Sequence, residues 1–255
     1  MESFVSDGVT LAYIDVPATG KDRGEPIVLV HGFASNHRVN WVNPRWVDTL
    51  TKDGRRVIAL DNRGHGKSEK LYDPELYRTD ILAGDVANLI AHLGLGRVDL
   101  MGYSMGARIV SFLALARPDL ARSLILGGLG AHLVEGAGLP IGIADAMEAP
   151  SLESLVDPMQ RMFRAFAEQT GGDLRALAAC MRGTRQTLTQ AEVLSIRAPV
   201  LIAIGTKDTI AGDGRKLAMM FANGASLDIP GRDHNLAVGD KVYKAGALAF
   251  LEGRP

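Results

Sequence analysis

The sequence predicts an α/β protein whose mainly parallel sheet is covered by helices on both faces. Two observations carry this. Short, wholly apolar runs rich in β-branched residues recur along the chain and stop at a small or polar residue, as Ile27-Val28-Leu29-Val30 stops at His31-Gly32. Between them lie stretches with helical periodicity, such as Ile81 to Leu93, with Leu82, Val86, Leu89, Ile90 and Leu93 on one side. Alternation of the two builds strands joined by helical crossovers.

Taken in order, Val9 to Val16 suits a strand, and the polar run Thr19 to Pro26 suits a hairpin loop into the strand Ile27–Val30. Val57-Ile58-Ala59-Leu60 ends at Asp61, Val98-Asp99-Leu100-Met101 at Gly102, and Ser123-Leu124-Ile125-Leu126 at Gly127-Gly128. Val200 to Ile204 ends at Gly205, and Ala225 to Ile229 forms a last strand. From Ala131 to about Ile196 this rhythm breaks: the run Gly136 to Gly142 punctuates the entry to a helical segment without strands. Met159, Met162, Phe163 and Phe166 share a helix face there. That face either packs on the core or lines a pocket in which flexible Met side chains accept varied shapes.

The chain of 255 residues, 47% hydrophobic and 22% charged, can bury one sizeable core. With 28 Lys and Arg against 29 Asp and Glu, the net charge is -1, so no general field draws in nucleic acid or anionic lipid. The start Met1-Glu2-Ser3-Phe4-Val5-Ser6-Asp7 lacks the basic and apolar pattern of a secretory signal, and no apolar stretch is long enough to span a bilayer. The expectation is a soluble, cytoplasmic protein without stable membrane insertion. Cys180, the only cysteine, excludes an intrachain disulfide and a thiolate-rich metal site, and its apolar neighbours mark it as a buried hydrophobe.

The strongest local signal is Gly102-Tyr103-Ser104-Met105-Gly106, which follows a strand and opens the helical run Ala107 to Ala116. This is the G-x-S-x-G elbow in its required strand-turn-helix setting. Two glycines let the backbone cross closely around a tight turn, which pushes the Ser104 hydroxyl above the sheet. The turn also aims the Met105 amide, at the helix start, toward a developing oxyanion.

A serine hydroxyl is a weak nucleophile until an imidazole removes its proton, and a carboxylate must hold that imidazole in one tautomer. In such sites the partners follow in the order serine, acid, histidine. Downstream of Ser104 only His132 and His234 remain. His234, in the polar loop Gly231-Arg232-Asp233-His234-Asn235 after the last strand, is placed to reach the carboxyl end of the sheet; His132 opens the helical segment and is not. Asp208, four residues beyond Ile204, is the candidate acid, with Asp213 and Asp233 as competitors. Asp213 is better placed to start the helix carrying Leu217. Gly66-Lys67-Ser68 ends like a phosphate loop, but the position that needs the first glycine is Asp61, whose carboxylate would repel phosphate. Gly128-Leu129-Gly130 begins like a dinucleotide fingerprint but has Leu133 where its last small residue belongs. No cofactor and no metal are expected.

Taken together, His31-Gly32-Phe33, Asp61 to Ser68, Gly102 to Gly106, Gly205 to Asp208 and His234 resemble the α/β-hydrolase superfamily over nearly the whole chain, least in the helical segment. The chain looks most like its compact bacterial carboxylesterases, enol-lactonases and cofactor-free perhydrolases. The resemblance implies an eight-stranded, mostly parallel sheet, with a core of residues 1–130 and 197–255 and a short helical cap, residues 131–196, after the sixth strand. It implies that the second oxyanion donor is the Phe33 amide, that His31 braces its loop, and that Asp61 to Ser68 are scaffold. Family members that open epoxides or remove halide use an aspartate nucleophile, which Ser104 disfavours. The single glycine of the first loop, Gly32, lowers the odds for tertiary-alcohol esters.

The reading is therefore a serine hydrolase of carboxylic esters acting through an acyl-enzyme on Ser104. Ester cleavage leads because the pocket-forming segments read as apolar and offer no set of charges for an acidic substrate, so the partner is a small apolar ester. Lactone opening, perhydrolysis and carbon-carbon hydrolysis could use the same three residues, and a non-catalytic receptor on this fold is a rival from another class. Oligomeric state stays open.

Overall fold

The computed structural model describes residues 1–136 and 139–254. Ala137 and Gly138, in the glycine-rich run that opens the helical segment, and Pro255, at the end of the core range, lie outside the described residues. The strands are β1 (Glu2–Ser6), β2 (Val9–Val16), β3 (Ile27–Val30), β4 (Val57–Leu60), β5 (Val98–Tyr103), β6 (Ala121–Gly127), β7 (Val200–Gly205) and β8 (Gly224–Ile229). They form one eight-stranded sheet in the order β1-β2-β4-β3-β5-β6-β7-β8. β1 and β2 pair antiparallel, as do β2 and β4, and every other pairing is parallel. The central strands are buried on both faces because helices cover both, which is why they read as unbroken apolar runs.

The helices α1 (Trp46–Lys52), α2 (Thr79–His92) and α3 (Met105–Ala116) precede β6. Then come α4 (His132–Glu135), α5 (Gly142–Glu148), α6 (Pro158–Gln169), α7 (Leu174–Gly183) and α8 (Gln190–Ser195), all between β6 and β7. The helices α9 (Gly214–Met220), α10 (His234–Ala237) and α11 (Lys241–Gly253) complete the chain. One apolar layer joins α2, α3 and the α5 to α7 region to the sheet, and a second joins α1 and α11 to its other face. Leu82, Val86, Leu89 and Ile90 of α2 are buried, as their spacing predicts. No helix among the described residues is long and apolar enough to cross a membrane.

Two readings of the sequence need correction. The run Thr19 to Pro26 is not a hairpin loop, because β2 lies beside β1 and β4 and never beside β3. The hairpin is one connection earlier: β1 and β2 meet across Asp7-Gly8, both at positive φ (46° and 83°), the mark of a tight two-residue turn. Strand ends also extend further, β5 to Tyr103 and β6 back to Ala121, because parallel neighbours supply backbone partners beyond the apolar core of each run.

Candidate active site

The G-x-S-x-G segment links β5 to α3. Ser104 sits at φ 53°, ψ -113°, a conformation that non-glycine residues avoid and that only a tightly packed turn maintains. A Cβ at Gly102 would overlap the backbone of Gly106, and one at Gly106 would overlap the Val30 carbonyl, so both glycines are required by close backbone crossing. Ser104 N–H donates to the Gly127 carbonyl at 2.7 Å, tying the turn to the end of β6. Its hydroxyl has no hydrogen-bond partner among the described residues, and Ser104 borders a cavity that His234 also lines.

His234 is the first residue of α10. Asp233 caps that helix by accepting from the Asn235 and Leu236 amides, and the Tyr103 hydroxyl donates to the His234 carbonyl, so its backbone is held from two sides. The ring Nδ1 lies 2.8 Å from Asp208 Oδ2, which leaves Nε2 as the nitrogen not bonded to that carboxylate. Asp208 Oδ1 accepts from the Ile210 and Ala211 amides at 2.8 and 3.0 Å. Burial of the Asp208 carboxyl raises its pKa, but the hydrogen bond and charge of His234 and the two amides outweigh this and hold it below the usual carboxylate range. Asp208 is thus an ionised anchor for the imidazole.

The other candidates are used elsewhere. Asp213 caps α9 through the Lys216 amide, and the His132 ring bonds the Ile210 carbonyl at 2.8 Å. His31 is fully buried and accepts from the Asn62 amide at 3.0 Å; burial pushes its pKa down to about 4, so it is a neutral brace. Asp61 accepts from the His37 and Lys67 amides, and Ser68 links Asp61 to β2. Cys180 is buried, and burial raises its thiol to about 12, which leaves it unreactive at neutral pH.

The Gly32-Phe33 loop runs beside Ser104: a Cβ at Gly32 would sit 3.4 Å from Ser104 Cβ. Asn40 Oδ1 accepts from the Gly32 amide at 2.9 Å, His65 accepts from the Ala34 amide at 3.2 Å, and Thr170 of the helical segment donates to the Ala34 carbonyl at 2.8 Å. Neither the Phe33 nor the Met105 amide has an internal acceptor among the described residues, although both residues line the space at Ser104. The face read on α6 divides: Phe163 packs 6.1 Å from the Phe33 ring and, with Phe166, lines the cavity, while Met159 and Met162 line a neighbouring groove beside His234.

Sequence reasoning missed three things. Tyr103 and Asn40 position His234 and the Phe33 loop through bonds that cross the fold, with no local signal. The apolar lining expected for the pocket is interrupted by Arg108 and Arg185, which line a second cavity at Ser104. Arg108 did leave a trace, as a lone charge within the apolar run of α3.

A family model described as alpha/beta hydrolase fold matches residues 25–179, and the chain belongs to that family. Among curated proteins it is 28% identical to the 2-(acetamidomethylene)succinate hydrolase of Mesorhizobium japonicum (strain LMG 29417 / CECT 9101 / MAFF 303099), over 91% of this chain and 90% of that protein. Two Bacillus subtilis (strain 168) relatives are matched over only 42% and 40% of their own length. Among solved structures, the enol-lactonase from Burkholderia xenovorans LB400 superimposes with a TM-score of 0.80 at 21% identity, covering 98% of this chain and all of that one. A bromoperoxidase from Bacillus anthracis gives 0.78 at 24% identity, covering 96% of each chain. At these identities the structural likenesses speak for the fold.

Proposed function

We propose that the chain hydrolyses carboxylic esters through an acyl-enzyme on Ser104. The observation that carries this reading is that Ser104, on its strained turn, and His234, with Nδ1 committed to Asp208, line one cavity. His234 Nε2 takes the Ser104 proton as the oxygen attacks the ester carbonyl, and the Phe33 and Met105 amides receive the negative charge that forms on the carbonyl oxygen. Collapse breaks the bond to the alcohol, which leaves with the proton from His234. Water, deprotonated by the same ring, then releases the acid and restores Ser104. Residues 131–196 act as a cap over this site, with Phe163 and Phe166 closing it from above. A lactone is an internal ester and would open by the same steps.

The test is steady-state hydrolysis of p-nitrophenyl acetate and butyrate by wild type and Ser104→Ala. Sustained turnover lost in the variant supports the reading; no turnover by wild type, or an unchanged rate in Ser104→Ala, overturns it.

A further inference from the structure

Ser104 borders two cavities, and they differ in chemistry. His234 lines the aromatic one with Phe163 and Phe166, but not the other, which is bounded by Phe33, Met105, Leu129, Arg108 and Arg185. The general acid must reach the leaving oxygen, so on the hydrolase reading the alcohol occupies the His234 side and the acyl chain points into the second cavity.

Two guanidinium groups wait there. Arg108 is 4% exposed, and its terminal nitrogens donate to the carbonyls of Gln186 (2.9 Å), His132 (2.7 Å) and Gly136 (3.1 Å). Arg185, half-buried, donates to the Leu139 carbonyl at 2.7 Å. Carbonyls satisfy hydrogen-bond donors without neutralising charge. The remaining three buried arginines, Arg55, Arg63 and Arg164, each hold a carboxylate, at 2.7 to 3.1 Å. Among the described residues, neither Arg108 nor Arg185 has one within salt-bridge distance. Burial, with Arg185 nearby, lowers Arg108 to about 10, which still leaves it cationic at neutral pH. A desolvated cation without a counter-ion is costly, and a bound anion would relieve that cost.

We propose that this cavity is an anion subsite and that the preferred substrate carries a carboxylate on its acyl part: a half-ester, or a lactone, of a dicarboxylic acid. Arg185, the more accessible of the two, meets the carboxylate, and Arg108 supports it from α3 while tying that helix to the His132 to Gln186 segment. The substrate assignment rests on the hydrolase reading, whereas the anion site does not.

The experiment compares neutral p-nitrophenyl butyrate with the anionic mono-p-nitrophenyl ester of glutaric acid. Wild type is expected to favour the half-ester in kcat/KM by about tenfold or more, the scale of a charge-assisted hydrogen bond. In Arg185→Met that preference should fall about 10- to 100-fold, mainly through KM, and Arg185→Lys should recover part of it. A wild type that prefers the neutral ester, or a preference that survives Arg185→Met, overturns the substrate class. Calorimetric titration of Ser104→Ala with glutarate tests the subsite without turnover: binding should occur, and should vanish when Arg185→Met is added. Glutarate binding dependent on Arg185 in a protein that hydrolyses no ester would sink the hydrolase reading and leave the anion site standing. Ester turnover with no charge preference and no glutarate binding would do the reverse.

Discussion

Two arginine clusters at opposite ends of the sheet are partnered in opposite ways. At the amino ends of the parallel strands, Arg55, Arg122 and Arg254 converge on Asp99 of β5, at 3.1, 3.3 and 3.1 Å, and Ser123 of β6 donates to the same carboxylate at 2.7 Å. Glu25 and Asp53 complete the charge balance around Arg55. Toward the carboxyl ends, Arg108 and Arg185 line the space at Ser104 with no carboxylate partner among the described residues. Balanced charge holds the strands and their connections in place. Unbalanced charge beside Ser104 is, on the proposal made above, capacity for a bound anion.

The largest effects should fall at the carboxyl end and on rate. Ser104→Ala and His234→Ala should each lower kcat by about 10⁴-fold or more, since members of such a unit act together. Asp208→Asn should cost about 10³- to 10⁴-fold in kcat by releasing the His234 tautomer, with little change in unfolding free energy. A stability loss as large as the rate loss would make Asp208 part of the scaffold and blur the contrast between the two ends.

At the amino end the same kind of change should strike stability. Arg55→Met strands Asp99 among fewer cations and should cost about 3–5 kcal/mol in urea unfolding, the penalty for breaking a buried pair. Arg185→Met, which breaks no ion pair, should stay within about 1 kcal/mol of wild type. Similar losses for the two variants would erase the distinction.

A smaller, pH-dependent effect belongs to the histidines behind the Phe33 loop. Burial lowers His31 to about 4 and His65 to about 3, against 6.5 for free histidine. The unfolded chain therefore binds more protons in this interval. The stabilisation is fully present above about pH 6.5 and is lost as pH falls through the folded values. The urea midpoint should drop from pH 7 to 4, and His65→Gln should flatten that drop; a wild-type midpoint constant over the interval would contradict it.

How far the sequence discloses this arrangement depends on whether the signal is local. The apolar strand cores, the elbow glycines and the polar loops holding Asp208 and His234 are legible because close packing and tight turns dictate residue type at a few adjacent positions. The β1–β2 hairpin left a usable signal in Asp7-Gly8, but strand order did not, since it rests on pairings dozens of residues apart. Arg108 and Arg185 stand 77 positions apart, and nothing near either one announces that they share a cavity. The same holds for Tyr103, whose hydroxyl reaches a carbonyl across 131 positions.

The central claim is that Ser104 is the group that attacks. A fluorophosphonate reports this directly, because an activated serine oxygen displaces fluoride and keeps the phosphonyl group. Peptide mass analysis after brief treatment should place one phosphonyl group on Ser104 in wild type and none in His234→Ala over the same time. Labelling elsewhere, or equal labelling of the two proteins, would contradict the account.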